Sequence, residues 1–321
     1  MRRLRRTPEL RSIVRENMLS VEDFIVPLFA VPGSGIKRDI ETLPGNYHLS
    51  VDALVEEAKE IRDLGIKAVL LFGIPRQKSE NADESYSPDG TTQQAIEAVK
   101  KQVPGLIVIG DICLCEYTPH GHCGIMENGY LQNDKSLEII AKIAASHAAA
   151  GADMVAPSAM LDGQIQTIRS SLDTKGFVTT AIMAYSVKYS SCLFNPFFKH
   201  GTKSVVSFGD KKTHQMDYFN ADEAMREIAL DVGEGADIIM VKPGLFYLDI
   251  LRRAKNEYPM PLAVYNVSGE YAMLHAAVAK GIFDLKTILM ETMACFKRAG
   301  ADLIISYGAK EAARFLSEGG S

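Results

Sequence analysis

Two lysines, three cysteines and an aspartate carry the chemistry open to this sequence. Lys242 ends the apolar run Ile238–Val241 and is followed by Pro243 and Gly244, which places it at the tip of a buried strand. Burial penalises the ammonium, lowers its pKa and frees a neutral amine to act as a nucleophile. The plain alternative is a lysine that keeps its charge by reaching solvent or a carboxylate. Lys188 lies just past the preceding strand, after Ala184-Tyr185-Ser186-Val187. Neighbouring strands lie about 4.8 Å apart, so both amines can enter one pocket, where each cation depresses the pKa of the other. Such a pair suits two carbonyl substrates held side by side as Schiff bases. The alternative makes one lysine covalent and the other a counter-ion or phosphate binder.

Asp111 opens a loop that contains Cys113, Cys115 and Cys123 among glycine, proline, His120 and His122. Three thiolates on one loop can converge on a borderline cation, and zinc fits that donor set. Three ligands and a vacancy describe a catalytic metal, although His120 or His122 could close the shell. The loop is expected to face solvent at the catalytic end of the fold. Cys192 and Cys295 lack partners and read as ordinary small residues.

The elements that must position these groups repeat along the chain. Three helices end in Gly-Ala-Asp followed by an apolar run, at Gly151, Gly235 and Gly300; glycine closes each helix in a left-handed cap. With Ile25–Val31, Ala68–Phe72, Leu106–Gly110, Val178–Tyr185 and Pro261–Val267, these runs make eight strands. Helical patterns lie between or after them, near 91–102, 135–150, 163–173, 220–234, 246–257, 270–280, 286–299 and 309–317. Eight alternating units predict a (β/α)8 TIM barrel; an open doubly wound sheet is disfavoured because no Gly-x-Gly-x-x-Gly turn is present. Asp111, Ser158, Lys188, Lys242, Ser268 and Tyr307 all fall at carboxyl ends of strands, where barrel enzymes keep their catalytic groups. The barrel domain is assigned to residues 21–321. Residues 1–20, with Arg2, Arg3, Arg5 and Arg6, read as an extended arm. The long span at about 189–219 reads as a lid over the lysines.

The totals agree with a globular enzyme. The 321 residues are 47% hydrophobic and 23% charged, with a net charge of −5, which argues against a nucleic-acid partner. No stretch has the length of a membrane span, and no apolar segment follows the amino-terminal arginines as in a secretory signal. Five cysteines without such a signal suggest reduced thiols and a cytoplasmic location.

Taken together, the cysteine loop, Tyr185-Ser-Val-Lys188-Tyr-Ser-Ser, Met240-Val-Lys-Pro-Gly244, Tyr265-Asn-Val-Ser-Gly-Glu-Tyr271 and the opening Arg-Arg-Leu-Arg-Arg-Thr-Pro8 resemble the porphobilinogen synthase (5-aminolevulinate dehydratase) family nearly end to end. The resemblance implies a TIM barrel with an arm used in oligomer contacts, commonly a homo-octamer. It also implies condensation of two 5-aminolevulinate molecules to porphobilinogen, with loss of water, in tetrapyrrole synthesis. By that resemblance Lys242 forms the Schiff base with the first substrate, and Ser268 and Tyr307 hold its carboxylate. Lys188 binds the second substrate, with Tyr185, Gln215 and Lys211 also at the substrates and Asp111 beside the metal. Cys113, Cys115 and Cys123 carry zinc, which polarises the second substrate, and Glu227 matches a magnesium position found in some members. The alternative for Glu227 is a solvated helix glutamate.

The departures fall in the second-substrate pocket. Phe198 and Lys211 stand where the family usually has arginines for the second carboxylate, and Ala159 replaces an aspartate near its amine. Phenylalanine offers no donors and lysine only a point charge. Three readings follow. In the leading one, Lys199, His200 or Lys203 swings in with the lid and the ordinary reaction proceeds. In the second, a paralogue condenses aminolevulinate or a similar keto acid with a partner lacking that carboxylate. The third is a catalytically silent member with an assembly or regulatory role.

Overall fold

A computed structural model of the chain describes residues 2–318. Its centre is a closed barrel of eight parallel strands: β1 (Phe24–Ala30), β2 (Ala68–Gly73), β3 (Ile107–Ile112), β4 (Met154–Pro157), β5 (Ala181–Lys188), β6 (Ile238–Lys242), β7 (Leu262–Asn266) and β8 (Leu303–Ser306). Each strand pairs with the next, and β8 returns to β1 through Phe24 opposite Ile304 and Ile25 opposite Ile305. Helices cover the outside, and Gly151, Gly235 and Gly300 end theirs at φ of 99°, 106° and 117°, values a side chain would strain. No described helix is long and apolar enough to cross a membrane.

Burial alternates along the strands and divides the apolar residues into two layers. Ile25, Phe29, Leu70, Phe72, Ile109, Met183, Tyr185, Met240, Ala263, Tyr265 and Ile305 fill the barrel, while Val26, Leu71, Val108, Ile239, Val241 and Val264 pack against the helices. Each fully buried side chain of this size contributes roughly 1.5–3 kcal/mol. The same alternation aims the carboxyl ends: two residues beyond Ile109 and Met240, Asp111 and Lys242 take the inward parity.

Strand β5 differs from the reading of the sequence. It begins three residues later than expected, because Gly176–Thr180 forms a turn closed by the Thr180 N–H on the Phe177 carbonyl at 3.1 Å. Lys188 is therefore the last residue of β5 and not a residue past it. By simple alternation Tyr185 and Lys188, three apart, should face opposite ways. The ladder to β6 contains a bulge: Ile239 pairs with Ala184, but Val241 pairs with Val187, so the intervening stretch of β5 holds one more residue. The extra residue switches the parity. Val187 then joins the outer layer, and Lys188 lies directly opposite Lys242.

Two small features had no counterpart in the sequence reading. A hairpin, Lys37–Asp39 with Tyr47–Leu49, extends the sheet beside β1. A ribbon, Ile125–Glu127 with Tyr130–Gln132, follows the cysteine loop and turns at Asn128-Gly129, both at positive φ as such a turn requires. In the amino-terminal segment the Thr7 hydroxyl accepts the Leu10 N–H at 3.3 Å and starts the short helix Pro8–Ile13, none of whose side chains is buried.

Candidate active site

The two lysines meet at the mouth of the barrel. Lys188 and Lys242 are 5% and 6% exposed, and their Nζ atoms lie 5.6 and 4.9 Å from the centre of the same ring, that of Tyr185. The Lys242 amine is also 4.2 Å from the Tyr265 ring, 5.3 Å from Phe194 and 5.5 Å from Phe197. Burial, followed by the neighbouring Lys188 cation, lowers the Lys242 pKa to about 7, so the neutral amine is plentiful at physiological pH. Lys188 donates instead to the Ser158 carbonyl, and the Ser158 hydroxyl donates to Asp111 Oδ2 at 3.2 Å. Burial, with the Glu116 charge, raises the Asp111 carboxyl to about 7.

One consequence is a pH dependence of covalent capture. Cyanoborohydride trapping of a ketone on Lys242 is expected to rise with pH and level off above about 7, because only the neutral amine attacks. At pH 6 the rate should be about tenfold below the plateau. A rate still climbing towards pH 10 would assign an ordinary surface lysine pKa.

A network ties the ends of β6, β7 and β8 together beneath this pocket. Fully buried Glu270 accepts the N–H groups of Gly244 (3.0 Å), Leu245 (2.7 Å) and Val267 (3.0 Å) and the Asn266 amide (3.0 Å). Asn266 Oδ1 in turn accepts from the Ser306 hydroxyl at 2.9 Å. Glu270 thus fixes the turn after Lys242. Glu270→Ala leaves four donors without a partner, three of them buried, and should lower unfolding stability by about 3 kcal/mol or more in chemical denaturation.

The three cysteine sulfurs form the one His/Cys/Asp/Glu group among the described residues gathered tightly enough for a metal, all within 4.8 Å of one another. Their loop is buried, not facing solvent as expected, with Cys113, Cys115 and Cys123 at most 3% exposed. The span after β5 covers it: the His122 ring bonds the Phe208 carbonyl at 2.9 Å, and Lys211 Nζ lies 3.4 Å from Cys123 Sγ. The His122 bond to Phe208, and the acceptance of the His122 N–H by His120 Nδ1 at 3.1 Å, engage one ring nitrogen of each histidine away from the sulfurs. Hydrogen bonds from Cys113 and Cys115, against burial, hold the Cys123 thiol well below its usual range. Burial pushes the other two thiols up.

The remaining sequence-derived candidates separate into two groups. Ser268, Tyr307, Tyr185, Gln215 and Lys211 are all buried around the mouth. The Ser268 hydroxyl accepts the Phe197 N–H at 3.0 Å and donates to the Leu193 carbonyl at 3.2 Å, so it grips the covering span. Tyr307 and Tyr265 share a hydroxyl contact of 3.2 Å. Lys211 lies 4.1 Å from the Phe198 ring centre, and the cysteine cluster outweighs burial in raising its pKa. Of the cations expected to swing in, Lys199 lines a groove with Lys211 and Gln215. His200 instead faces Glu41 at 3.5 Å, and the Lys203 carbonyl accepts Lys78 Nζ at 2.9 Å. Glu227 is away from the lysines, half-buried in a surface cavity with Asp162 and Glu223, and burial raises its pKa. Sequence reading missed Glu116, Glu270 and the aromatic box of Phe72, Phe194 and Phe197.

A closed parallel barrel with two buried lysines at its carboxyl end defines a TIM-barrel fold whose mouth holds paired amines. The particular lineage follows from comparison. A family model described as delta-aminolevulinic acid dehydratase matches residues 1–315, and the chain belongs to that family. The delta-aminolevulinic acid dehydratase of Synechococcus elongatus is 53% identical over 320 residues, 98% of each chain. That of Bacillus subtilis is 48% identical over 317 residues, 99% of this chain and 98% of the relative. A crystal structure of the Toxoplasma gondii enzyme in complex with the reaction product porphobilinogen is similar with a TM-score of 0.96 at 42% identity, covering 99% of this chain and 91% of that one.

Proposed function

We propose that the protein condenses two molecules of 5-aminolevulinate to porphobilinogen with release of two waters. The observation that carries this reading is the in-register pair Lys188 and Lys242, both amines over one tyrosine ring. The reaction needs two ketones activated side by side, and this pair offers an amine to each. Lys242, neutral in half its copies near pH 7, attacks the ketone of the first substrate; loss of water leaves an imine. Lys188 engages the ketone of the second. Asp111, near 7, can accept and return protons during enolisation and dehydration. Ser268 and Tyr307 take the first carboxylate, and Gln215 with Lys211 serves the second. The span 189–219 acts as a lid that excludes water once both substrates are in place.

An all-sulfur donor set of this compactness fits zinc, held by Cys113, Cys115 and Cys123. Zinc there supplies Lewis-acid polarisation of the second substrate. Glu227 with Asp162 and Glu223 is the corresponding proposal for magnesium. The protein acts in the cytoplasm as a homo-octamer whose arms, residues 1–20, grip neighbouring barrels; exposed Ile13 and Met18 give the arm apolar surface for that contact. The test is incubation with aminolevulinate and zinc followed by Ehrlich reagent: pyrrole colour is expected. A colourless mixture in which aminolevulinate is nonetheless trapped on Lys242 would favour a different second substrate, the reading suggested by Phe198 and Ala159.

A further inference from the structure

The inward aim of Lys188 depends on two successive residues of β5 facing the same way. Tyr185 fills the barrel and Val187 joins the outer layer. Ser186 between them is 1% exposed, and its hydroxyl meets the carboxyl of Asp231 on the outer helix Asp222–Glu234. Ser186 and Val187 therefore both turn towards the helices, and that doubling is what the bulge adds. A hydroxyl has one proton to donate. The Ala184 carbonyl, at 3.5 Å, is at the limit of a hydrogen bond, so the Asp231 carboxylate is the stronger acceptor. Keeping a carboxylate there is costly: burial raises its pKa to about 7, and the charges acting on it, Glu234 and Glu227, have its own sign. The chain fixes its position from both sides. The Asp231 carbonyl accepts the Ala236 N–H at 3.0 Å, and Asp237 Oδ2 accepts the Ile182 N–H of β5 at 2.8 Å.

We propose that Asp231 is a positioning residue: by taking the Ser186 hydroxyl it holds the bulge of β5 and so keeps the Lys188 amine in the pocket beside Lys242. This deepens the proposed reaction and rests on it for the task of Lys188. Asp231 touches no substrate and acts only through the strand. Its effect extends to Lys242, because the Lys188 cation is, after burial, the main influence that lowers the Lys242 pKa. A relaxed bulge lets Lys188 turn towards the outer layer, and the Lys242 amine then keeps its proton to higher pH.

The test reads the Lys242 amine with no ketone present, as the pH midpoint of its acetylation by trace acetic anhydride, scored by peptide mass in the zinc-loaded protein. Lys188→Ala, which removes the cation, should raise that midpoint by about one pH unit or more. Asp231→Ala and Ser186→Ala should each raise it by about half as much or more. Asp231→Asn still accepts the hydroxyl through Oδ1 and should keep the parent value. In the Lys188→Ala background, Asp231→Ala should shift nothing further, because the residue acts through Lys188. A midpoint unmoved in either folded alanine variant, a shift that persists without Lys188, or an asparagine variant that behaves as the alanine overturns the proposal. If Asp231→Ala does not fold, Ser186→Ala, which removes a single oxygen, decides alone. A protein that captures no aminolevulinate on either lysine sinks the proposed condensation, while the midpoint still decides on Asp231.

Discussion

Lys242→Ala should abolish pyrrole formation, lowering kcat/KM by about 10⁴-fold or more, with circular dichroism and melting behaviour unchanged or improved. Lys188, the other amine in the pocket, is held by the Ser158 carbonyl and does not stand in for the nucleophile; losses of about 10⁴ to 10⁶ are typical for such residues. The fold should tolerate the change because Lys242 accepts a buried position at the expense of its charge. Its backbone role is independent of the amine: the Lys242 carbonyl accepts the Tyr189 N–H at 3.0 Å, and Glu270 holds the next two amides. Lys242→Arg should be equally inactive, since a guanidinium stays protonated and forms no imine. Activity within tenfold of the parent in either variant would remove Lys242 from the chemistry.

The second large effect concerns the sulfur cluster. Cys123→Ala, or exhaustive chelation of the parent protein, should cut pyrrole formation at least about 100-fold, and zinc should restore the chelated parent but not the variant. The three sulfurs share one small volume, and Cys123 is the thiol held low in pKa while Cys113 and Cys115 are pushed up by burial. Metal loading must therefore release protons, and apparent zinc affinity should increase with pH. Proton release can be followed with an indicator during titration. Full activity in the chelated protein would take the metal out of the mechanism.

Much of the barrel was legible because its signals are local. Glycine caps at Gly151, Gly235 and Gly300 mark where helix becomes strand, and strand ends at Asp111, Ser158 and Lys242 are polar where the rest of each strand is apolar. The inward aim of Lys188 was not legible. Alternation from Tyr185 directs it outward, and the bulge that reverses this is set by pairing with β6, a segment some fifty residues away. Burial of the cysteine loop was likewise invisible, since Phe208 and Lys211, which cover it, come from another loop. Glu116 reads in the sequence as a solvated loop residue; only the closure of the barrel mouth shows it to be enclosed. The Asn128-Gly129 turn, by contrast, was available as a hairpin signal and was passed over.

The most direct measurement is reduction of the protein with cyanoborohydride in the presence of aminolevulinate, followed by digestion and mass analysis of every lysine peptide. The account predicts a reduced adduct on Lys242 at close to one per chain, with any second adduct on Lys188. An adduct absent from both, or scattered over exposed lysines, would contradict it.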